Sequence, residues 1–361
     1  MAEADDESSA TNPPSRLTKR QAFIAELRVP FLTASIIPVL LGASIAWGRY
    51  QIFAWDLFVW TLIAGVCVHL GANISNDYFD HTYEATGTDD INVEYIRPFS
   101  GGSRMIQLGY LTAKEVLAEA MFFFAVAVAI GLYLAWVRGI VILVIGLIGV
   151  GSAFFYTAPP FHFVKRGIGE IFIGLNFGVL MVFGAFYVQA PNIELEPIVA
   201  SLPVALLITA VLYINQFPDY KADRDSGKRT LVVRLGRAAA AKGYVVLMAS
   251  VFSIIGGSVV LNLIAWEAII GLAVLPIAVV GAFFALKHYD EPLKMIPANA
   301  ATIQSHMLTG IFMTVGYLLL AFSVGWFEVL VAFTIAIGGS SVLANKLRTP
   351  PKGMEPQTYS P

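Results

Sequence analysis

The sequence predicts an all-α membrane protein, a bundle of nine to ten transmembrane helices with two related halves and a cytoplasmic cap of loops. Its 361 residues are 57% hydrophobic and 13% charged, a balance that soluble domains do not reach. The apolar residues are concentrated in stretches close to the length that crosses a bilayer as a helix. Lys and Arg accumulate in alternate connections between these stretches.

Ten apolar stretches account for the predicted helices. They are Val29–Trp47, Phe53–Ser75, Val116–Trp136, Ile140–Thr157, Ile168–Val188, Ile198–Phe217, Tyr244–Leu261, Trp266–Leu286, Met307–Val324 and Phe327–Leu343. We expect residues 28–345 to form one transmembrane domain, with 324–345 as an additional helix. Residues 1–27 are expected to be a disordered cytosolic tail, because they are polar and lack an apolar signal segment. Residues 346–361 are expected to be a second cytosolic tail.

The distribution of positive charge predicts the orientation. If the N-terminus is cytoplasmic, only Arg49 and Arg138 of the 23 Lys and Arg residues fall on the opposite side. Cytoplasmic loops of membrane proteins carry such an excess of Lys and Arg. The long connections lie on the same side, so we expect the chemistry at the cytoplasmic face of the cell inner membrane or an equivalent membrane.

Charge and cysteine content exclude several classes of function. The formal net charge of -2 offers no basic surface for nucleic acid. The single cysteine, Cys67, lies in an apolar stretch and excludes a disulfide framework, a zinc cluster and an iron–sulfur site. No segment calls for an obligatory protein partner.

Two acidic motifs with the same spacing follow the second and sixth stretches. The first is Asn76, Asp80 and Glu84, and the second is Asn215, Asp219 and Asp223, both written N-x3-D-x3-[DE]. Steps of four residues keep each set near one face of a helix, so the two sets can face one cavity. Oxygen ligands without His or Cys suit Mg²⁺, which uses one or two carboxylates together with water and phosphate oxygens. The pair therefore predicts a site that clamps a diphosphate through magnesium.

Basic residues near each motif are candidates for direct phosphate contacts, although any one of them can instead be a membrane-boundary anchor. Arg and Lys are the expected partners of phosphate oxygens, and the Gly101-Gly102 pair allows close approach of the backbone. The candidates are Arg97, Arg104, Lys165 and Lys228.

These motifs resemble the UbiA-type intramembrane prenyltransferases. The matching segments are NDYFD at Asn76–Asp80, RPFSGG at Arg97–Gly102, YTAPP at Tyr156–Pro160 with Lys165-Arg166 after it, and NQFPDYKADRDSGKRTLVVRLG at Asn215–Gly236. The last segment looks most like the branch that prenylates 1,4-dihydroxy-2-naphthoate in menaquinone synthesis. The resemblance extends over roughly Arg28 to Val324.

The resemblance implies a fold of about nine spans, an isoprenyl diphosphate and an aromatic acceptor as substrates, and a prenyl tail among helices that open to lipid. It implies a metal site of Asn76, Asp77, Asp80, Glu84, Asp219 and Asp223. It implies catalytic roles for Asp80, Asp219, Asp223, Arg97 and Lys165. It implies substrate contacts by Asn76, Asn215, Arg97, Arg104, Lys165, Lys228, Tyr156 and Asn73. Glu84 stands where the family more often has Asp, so Asp89-Asp90 is an alternative third ligand.

Several side chains have more than one interpretation. Tyr156 is a candidate for steadying an allylic cation with its ring, or for ordinary packing. His69 and Asn73 extend the polar face of Asn76 into the membrane, where they contact the acceptor, support the metal site or bond a neighbouring helix.

Alternative functions remain at this stage. A hydroxybenzoate, a chlorophyll-type tetrapyrrole, a haem or a glyceryl phosphate lipid are other acceptors for the same fold. A cation-coupled transporter also places matched motifs in two halves. The acids of this chain, however, cluster at one membrane face beside loops rich in phosphate-type cations, which favours the enzyme.

The predicted orientation is tested by labelling. A cysteine introduced at Gly101 or Ser226 should react with an impermeant reagent only from the cytoplasmic side, and one at Asn192 only from the other side. Labelling of the Gly101 variant from outside intact cells would reverse the orientation. A Cys67→Ser background removes the native thiol.

Overall fold

The computed structural model describes residues 17–82 and 102–348, and in these ranges the regular structure is helical. The helices are α1 (Lys19–Glu26), α2 (Thr33–Tyr50), α3 (Trp55–Thr82), α4 (Ala113–Arg138), α5 (Ile140–Phe154), α6 (Gly169–Gln189), α7 (Leu195–Asp225), α8 (Leu231–Leu235), α9 (Arg237–Val260), α10 (Trp266–His288), α11 (Ile296–Ala321) and α12 (Trp326–Leu347). Helix α6 contains a π-helical segment, Leu175–Leu180, and α10 begins as a 3₁₀-helix, Trp266–Val274.

The helices follow the predicted order, and within the described ranges nine helical segments are long and apolar enough to cross a membrane. The tenth apolar helix is α5, which ends at Phe154, three residues before the predicted end of its stretch. Its 15 residues extend about 22 Å at the usual rise, less than the hydrocarbon thickness. The additional helix predicted near the C-terminus is present as α12.

The N-terminal segment differs from the sequence-based expectation. Residues 19–26 form α1, although we expected disorder up to residue 27. The Thr18 side chain accepts from the backbone N–H of Gln21, and the Gln21 side chain accepts from the Thr18 N–H. This capping box starts the helix, and Ala22 is fully buried in a cluster with Leu70 of α3. Residues 1–16 and 349–361 lie outside the described residues.

Helix α7 occupies the centre of the bundle. It packs against α6, α9 and α11, and Leu207, Ile214 and Phe217 are fully buried. Small residues permit the closest crossings: a Cβ at Gly42 of α2 would lie 2.1 Å from the Val182 carbonyl oxygen, and one at Gly178 of α6 would lie 2.2 Å from the Ala205 Cβ. Helices α4 and α12 are largely exposed, as expected at a lipid-facing periphery.

The two basic residues that break the charge asymmetry both have specific partners. The Arg49 guanidinium donates to both oxygens of Glu196, at 2.7 and 2.8 Å. Glu196 Oε1 also accepts from the Tyr317 hydroxyl at 2.8 Å and from the Ala265 N–H at 2.9 Å. Arg138 Nε donates to the Val188 carbonyl near the end of α6 at 2.6 Å. Glu196 therefore ties α2, α7, α11 and the start of α10 together at one end of the bundle.

Replacing Glu196 should loosen that end. Glu196→Gln keeps the shape but loses the charge that orients the guanidinium and cannot accept all four donors. We expect unfolding to become easier by about 1–2 kcal/mol, a value reduced for the partial exposure of Arg49. Thermal unfolding in detergent measures the shift, and Glu328→Gln, an exposed acid at the start of α12, is the matched control. Equal melting temperatures for both variants would contradict this role.

Candidate active site

The two acidic motifs lie on long helices that continue beyond their apolar stretches. Asn76 and Asp80 are in α3, and Asn215, Asp219 and Asp223 are in α7. All five residues line one cavity of about 270 Å³. The prediction that the two sets share a cavity is confirmed for these residues.

The cavity changes character with depth. Its polar end contains the described residues of the two motifs, together with Lys228 and Thr230. Towards the middle of the bundle its wall becomes apolar, with Ile173, Ile208 and Leu212. Tyr156, Asn73 and His69 also line it. An amphiphilic ligand with a charged head and a hydrocarbon tail matches this gradient.

An ion pair joins the two walls at the polar end. The Lys228 Nζ lies 2.9 Å from Asp80 Oδ1 and 3.0 Å from Oδ2, and both side chains are buried. A buried carboxylate requires such compensation because removing it from water is costly. Lys228, predicted to contact phosphate, is therefore at the cavity and also neutralises a predicted metal ligand.

A proline in α7 explains how Asn215 is oriented. Pro218 has no N–H, so the carbonyl of Ile214, four residues earlier, loses its helical partner. Asn299 of α11 fills this place: its Nδ2 lies 3.4 Å from the Ile214 carbonyl oxygen and 2.7 Å from Asn215 Oδ1. Asn299 is buried and holds the Asn215 amide in position.

Hydrogen bonds also fix the turn after α7, which carries Lys228 and Thr230. The Lys228 N–H donates to the Asp223 carbonyl at 2.8 Å, and the Thr230 hydroxyl to Asp223 Oδ2 at 3.4 Å. Glu170 of α6, which is buried, supports the next residues. Its Oε1 accepts from Gln216 Nε2 at 2.8 Å and from the Leu231 N–H at 3.0 Å. Glu170 and Gln216 thus anchor the start of α8, since Gln216 Oε1 accepts from the Val232 N–H at 3.4 Å.

Tyr156 lies between the two walls as a neutral phenol. Burial raises the pKa of Tyr156, and the carboxylates of Glu170, Asp80 and Asp223 raise it further. The hydroxyl therefore stays protonated and can donate a hydrogen bond, while the ring presents an aromatic surface to the cavity.

The structure does not bring Asp77, Arg104 or Lys165 to the cavity lining. Asp77 follows Asn76 by one residue and so points about 100° away from it. Its Oδ2 accepts from the Ser103 N–H at 2.8 Å, and the Ser103 hydroxyl contacts Glu26. Asp77 thus anchors Ser103, beside Gly102 of the cavity. The Lys165 carbonyl accepts from the Arg229 N–H at 3.0 Å, joining two loops.

Three further predictions fall on residues that are not described. Glu84, its alternative Asp89-Asp90, and Arg97 all lie outside the described residues. Their proposed contacts therefore stay predictions.

Sequence reasoning missed several residues because their partners are distant in the chain. Arg28 lines the cavity with a left-handed backbone, φ 48°, and its guanidinium stacks 4.8 Å from the Phe31 ring centroid. Glu170 and Gln216 fix the loop after α7, and Asn299 orients Asn215. The sequence does show that Glu170 is a carboxylate near the start of an apolar stretch. That position alone does not reveal its partners Gln216 and Leu231.

The donor set fits magnesium held jointly by protein and substrate. Oxygen donors of Asn76, Asp80, Asn215, Asp219 and Asp223 face one space. Across residues 17–82 and 102–348, no group of three or more His, Cys, Asp and Glu side chains is arranged to hold a metal alone. Magnesium commonly relies on one or two carboxylates and completes its shell with water and phosphate oxygens.

Comparison with known families identifies the architecture. The model of the UbiA prenyltransferase family matches residues 35–296. The chain belongs to this family. As in other UbiA proteins, the chain is an integral membrane protein, and the enzyme class is a prenyltransferase.

Curated UbiA relatives align over most of the chain. A 1,4-dihydroxy-2-naphthoate octaprenyltransferase of Bacillus subtilis is 27% identical over 80% of this chain and 89% of its own length. A 2-carboxy-1,4-naphthoquinone phytyltransferase of Synechocystis is 25% identical over 86% of this chain and 97% of its own.

Solved UbiA structures share the fold. A UbiA homologue of Archaeoglobus fulgidus bound to DMAPP and Mg²⁺ matches 81% of this chain and 99% of its own, with a TM-score of 0.55 and 14% identity. An apo homologue of Aeropyrum pernix matches 81% of this chain and 98% of its own, with a TM-score of 0.55 and 15% identity.

The two aspartates of the NDYFD segment, Asp77 and Asp80, should respond differently to the same substitution. Asp80→Asn removes a charge from the cavity and should reduce prenyl transfer by about 10²- to 10⁴-fold. Asp77→Asn keeps an oxygen that accepts from Ser103, so we expect a loss below about 10-fold. Initial rates with purified, monodisperse variants measure both. An Asp77 variant as impaired as the Asp80 variant would place Asp77 among the metal ligands.

Proposed function

We propose that this UbiA protein transfers an isoprenyl group from its diphosphate to a 1,4-dihydroxy-2-naphthoate-like aromatic acceptor, in a magnesium-dependent step of quinone synthesis. The observation that carries the proposal is the pair of Asn and Asp sets on α3 and α7 that face one cavity with an apolar interior. The names of the relatives from Bacillus subtilis and Synechocystis support the naphthoate-type acceptor.

The polar end of the cavity combines candidate metal ligands with cationic side chains. Asn76, Asp80, Asn215, Asp219 and Asp223 would hold magnesium, which neutralises the diphosphate as it leaves. Arg28 and Lys228 line the same space and add positive charge for phosphate oxygens. Stabilising a developing negative charge with fixed cations is the main route to catalysis in such a site.

The apolar wall completes the chemistry. When the allylic C–O bond breaks, the diphosphate leaves with the electron pair and the prenyl carbon becomes positive. An electron-rich ring carbon of the acceptor attacks the prenyl carbon, and the ring then loses a proton, or its carboxyl group as CO₂, to become aromatic again. Ile173, Ile208 and Leu212 exclude water, which would otherwise capture this carbon. Tyr156 presents a neutral aromatic ring near the polar end, where it can steady the cation.

We also infer the surroundings of the reaction. The Lys and Arg distribution supports a cytoplasmic mouth, so that the charged substrates arrive from the cytosol. Residues 28–345 act as one catalytic domain, and the prenyl chain of the bound diphosphate lies among helices that open to lipid.

Product analysis tests the proposal. Purified protein, magnesium, a labelled isoprenyl diphosphate and a panel of aromatic acceptors should yield a prenylated naphthoate-type product, identified by mass. Chelation with EDTA should abolish the product and added magnesium should restore it.

Asp219→Asn should lower turnover by about 10²- to 10⁴-fold, whereas Glu328→Gln, an exposed acid far along the chain, should not. Product formation that is insensitive to EDTA would refute magnesium dependence, and products only with other acceptors would refute the naphthoate assignment.

A further inference from the structure

A polar line runs along the cavity face of α3 well below the acidic motif. His69, Asn73, Asn76 and Asp80 are spaced by four, three and four residues, which places them on one helix face. His69 lies about 10 Å deeper than Asn76 at the usual rise per residue. Away from α3, the cavity wall at this depth has apolar Ile208 and Leu212, and its polar residues are already engaged: the Ser152 hydroxyl lies 3.0 Å from Asn176 Oδ1, and Asn176 Nδ2 donates to the Phe172 carbonyl at 2.8 Å.

The contacts of His69 determine which ring nitrogen carries the proton. The Ser35 hydroxyl donates its single proton to the Leu32 carbonyl, at 3.0 Å. Ser35 Oγ lies 3.2 Å from His69 Nδ1 and can therefore only accept from it. In this arrangement Nδ1 is the protonated nitrogen, and Nε2 of the neutral ring carries a lone pair.

The ring is fixed with Nε2 towards the cavity. His69 is buried and its ring packs edge-on against Phe177, with centroids 4.7 Å apart and an interplanar angle of 76°. Nε2 forms no hydrogen bond to the described residues, yet it is not among the fully buried atoms that lack a partner. Since the imidazole lines the cavity, Nε2 opens onto it. Asn73 likewise forms no side-chain hydrogen bond within residues 17–82 and 102–348.

A hydrocarbon tail does not satisfy these groups. Covering an acceptor nitrogen and an amide with CH₂ groups would leave them desolvated and unpaired, at a cost of about 1–3 kcal/mol each. The tail has an alternative path, because a second cavity of about 130 Å³ shares Val68, Asn176 and Met181 with the first. Its lining is almost entirely apolar, with Leu134, Ile142 and Ile145 among the residues.

We propose that His69 binds the aromatic acceptor, with Nε2 accepting a hydrogen bond from a ring hydroxyl while Asn73 binds a second polar substituent. This inference rests on the proposed prenyl transfer. The acceptor ring lies against the polar face of α3, and the prenyl chain lies against the apolar wall and enters the second cavity. The hydrogen bond with Ser35 supports this role, since it fixes the tautomer that can accept a proton from a hydroxyl.

The arrangement makes the enzyme selective for a free hydroxyl. An acceptor in which that hydroxyl is converted to a methyl ether cannot donate, and it leaves Nε2 unpaired. The dihydroxy acceptor has two mono-O-methyl ethers, one for each hydroxyl. We expect the wild-type protein to prefer the dihydroxy acceptor over one of these ethers by about 10- to 100-fold in kcat/KM for the acceptor. A wild-type protein without this preference would overturn the proposal with no variant needed.

The decisive measurement compares this selectivity among variants. His69→Phe preserves an aromatic ring against Phe177 but has no lone pair, so the preference should fall to within about 3-fold, with the KM of the isoprenyl diphosphate unchanged within about 2-fold. His69→Gln, whose amide oxygen can still accept, should retain part of it. Intrinsic differences in acceptor reactivity cancel because each variant is compared with the wild type on the same two acceptors.

Controls separate this contact from general damage. His306→Phe replaces another buried histidine that does not line the cavity, and it should keep the full preference. Equal preferences in His69→Phe, His69→Gln and wild type would refute the His69 contact while leaving prenyl transfer intact. A change only in the KM of the diphosphate substrate would assign His69 to the donor instead. Absence of product from the wild type with every acceptor would refute the proposed function itself.

Discussion

The ion pair between Lys228 and Asp80 connects helix α3 to the turn after α7, through two residues 148 positions apart in the chain. Carboxylates at the level of a membrane are costly unless cations or donors compensate them, and the surroundings of the cavity follow from this constraint. Asp80 shares an ammonium with the opposite wall. Asp223 is bonded by the turn that carries this ammonium. The acidic motifs are thus held by contacts between the two walls as well as by their own helices.

Residues behind the cavity wall hold the polar side chains of the cavity in position. Pro218 frees a carbonyl of α7, and Asn299 occupies it while orienting Asn215. Glu170 and Gln216 bind the backbone at the start of α8 and so position Lys228 and Thr230. The irregular features, a proline in α7 and the short turn after it, therefore lie beside residues that line the cavity. Regular helix geometry alone would leave those polar groups without partners.

Much of this architecture could be predicted from local sequence, because apolar length and helical spacing are local properties. The spans, the helical placement of Asn76 to Asp80 and the shared cavity follow from them. The family resemblance implied Asp77 as a metal ligand, but Asp77 is one residue step from Asn76 on the helix and bonds the Ser103 N–H instead. Glu170 and Asn299 became meaningful only through partners 46 and 84 positions away.

The two ends of the bundle use charge in different ways. Glu196 receives donors from three other parts of the chain, and Arg49 alone engages both of its oxygens, so this carboxylate is saturated by the protein. A saturated ion pair closes its end of the bundle and has no capacity for a ligand. At the other end, Asn73 and Asn76 line the cavity without side-chain hydrogen bonds to the described residues, and His69 presents a lone pair. Unused hydrogen-bonding capacity is costly inside a membrane protein, so its concentration on one face of α3 is best explained by a ligand that uses it.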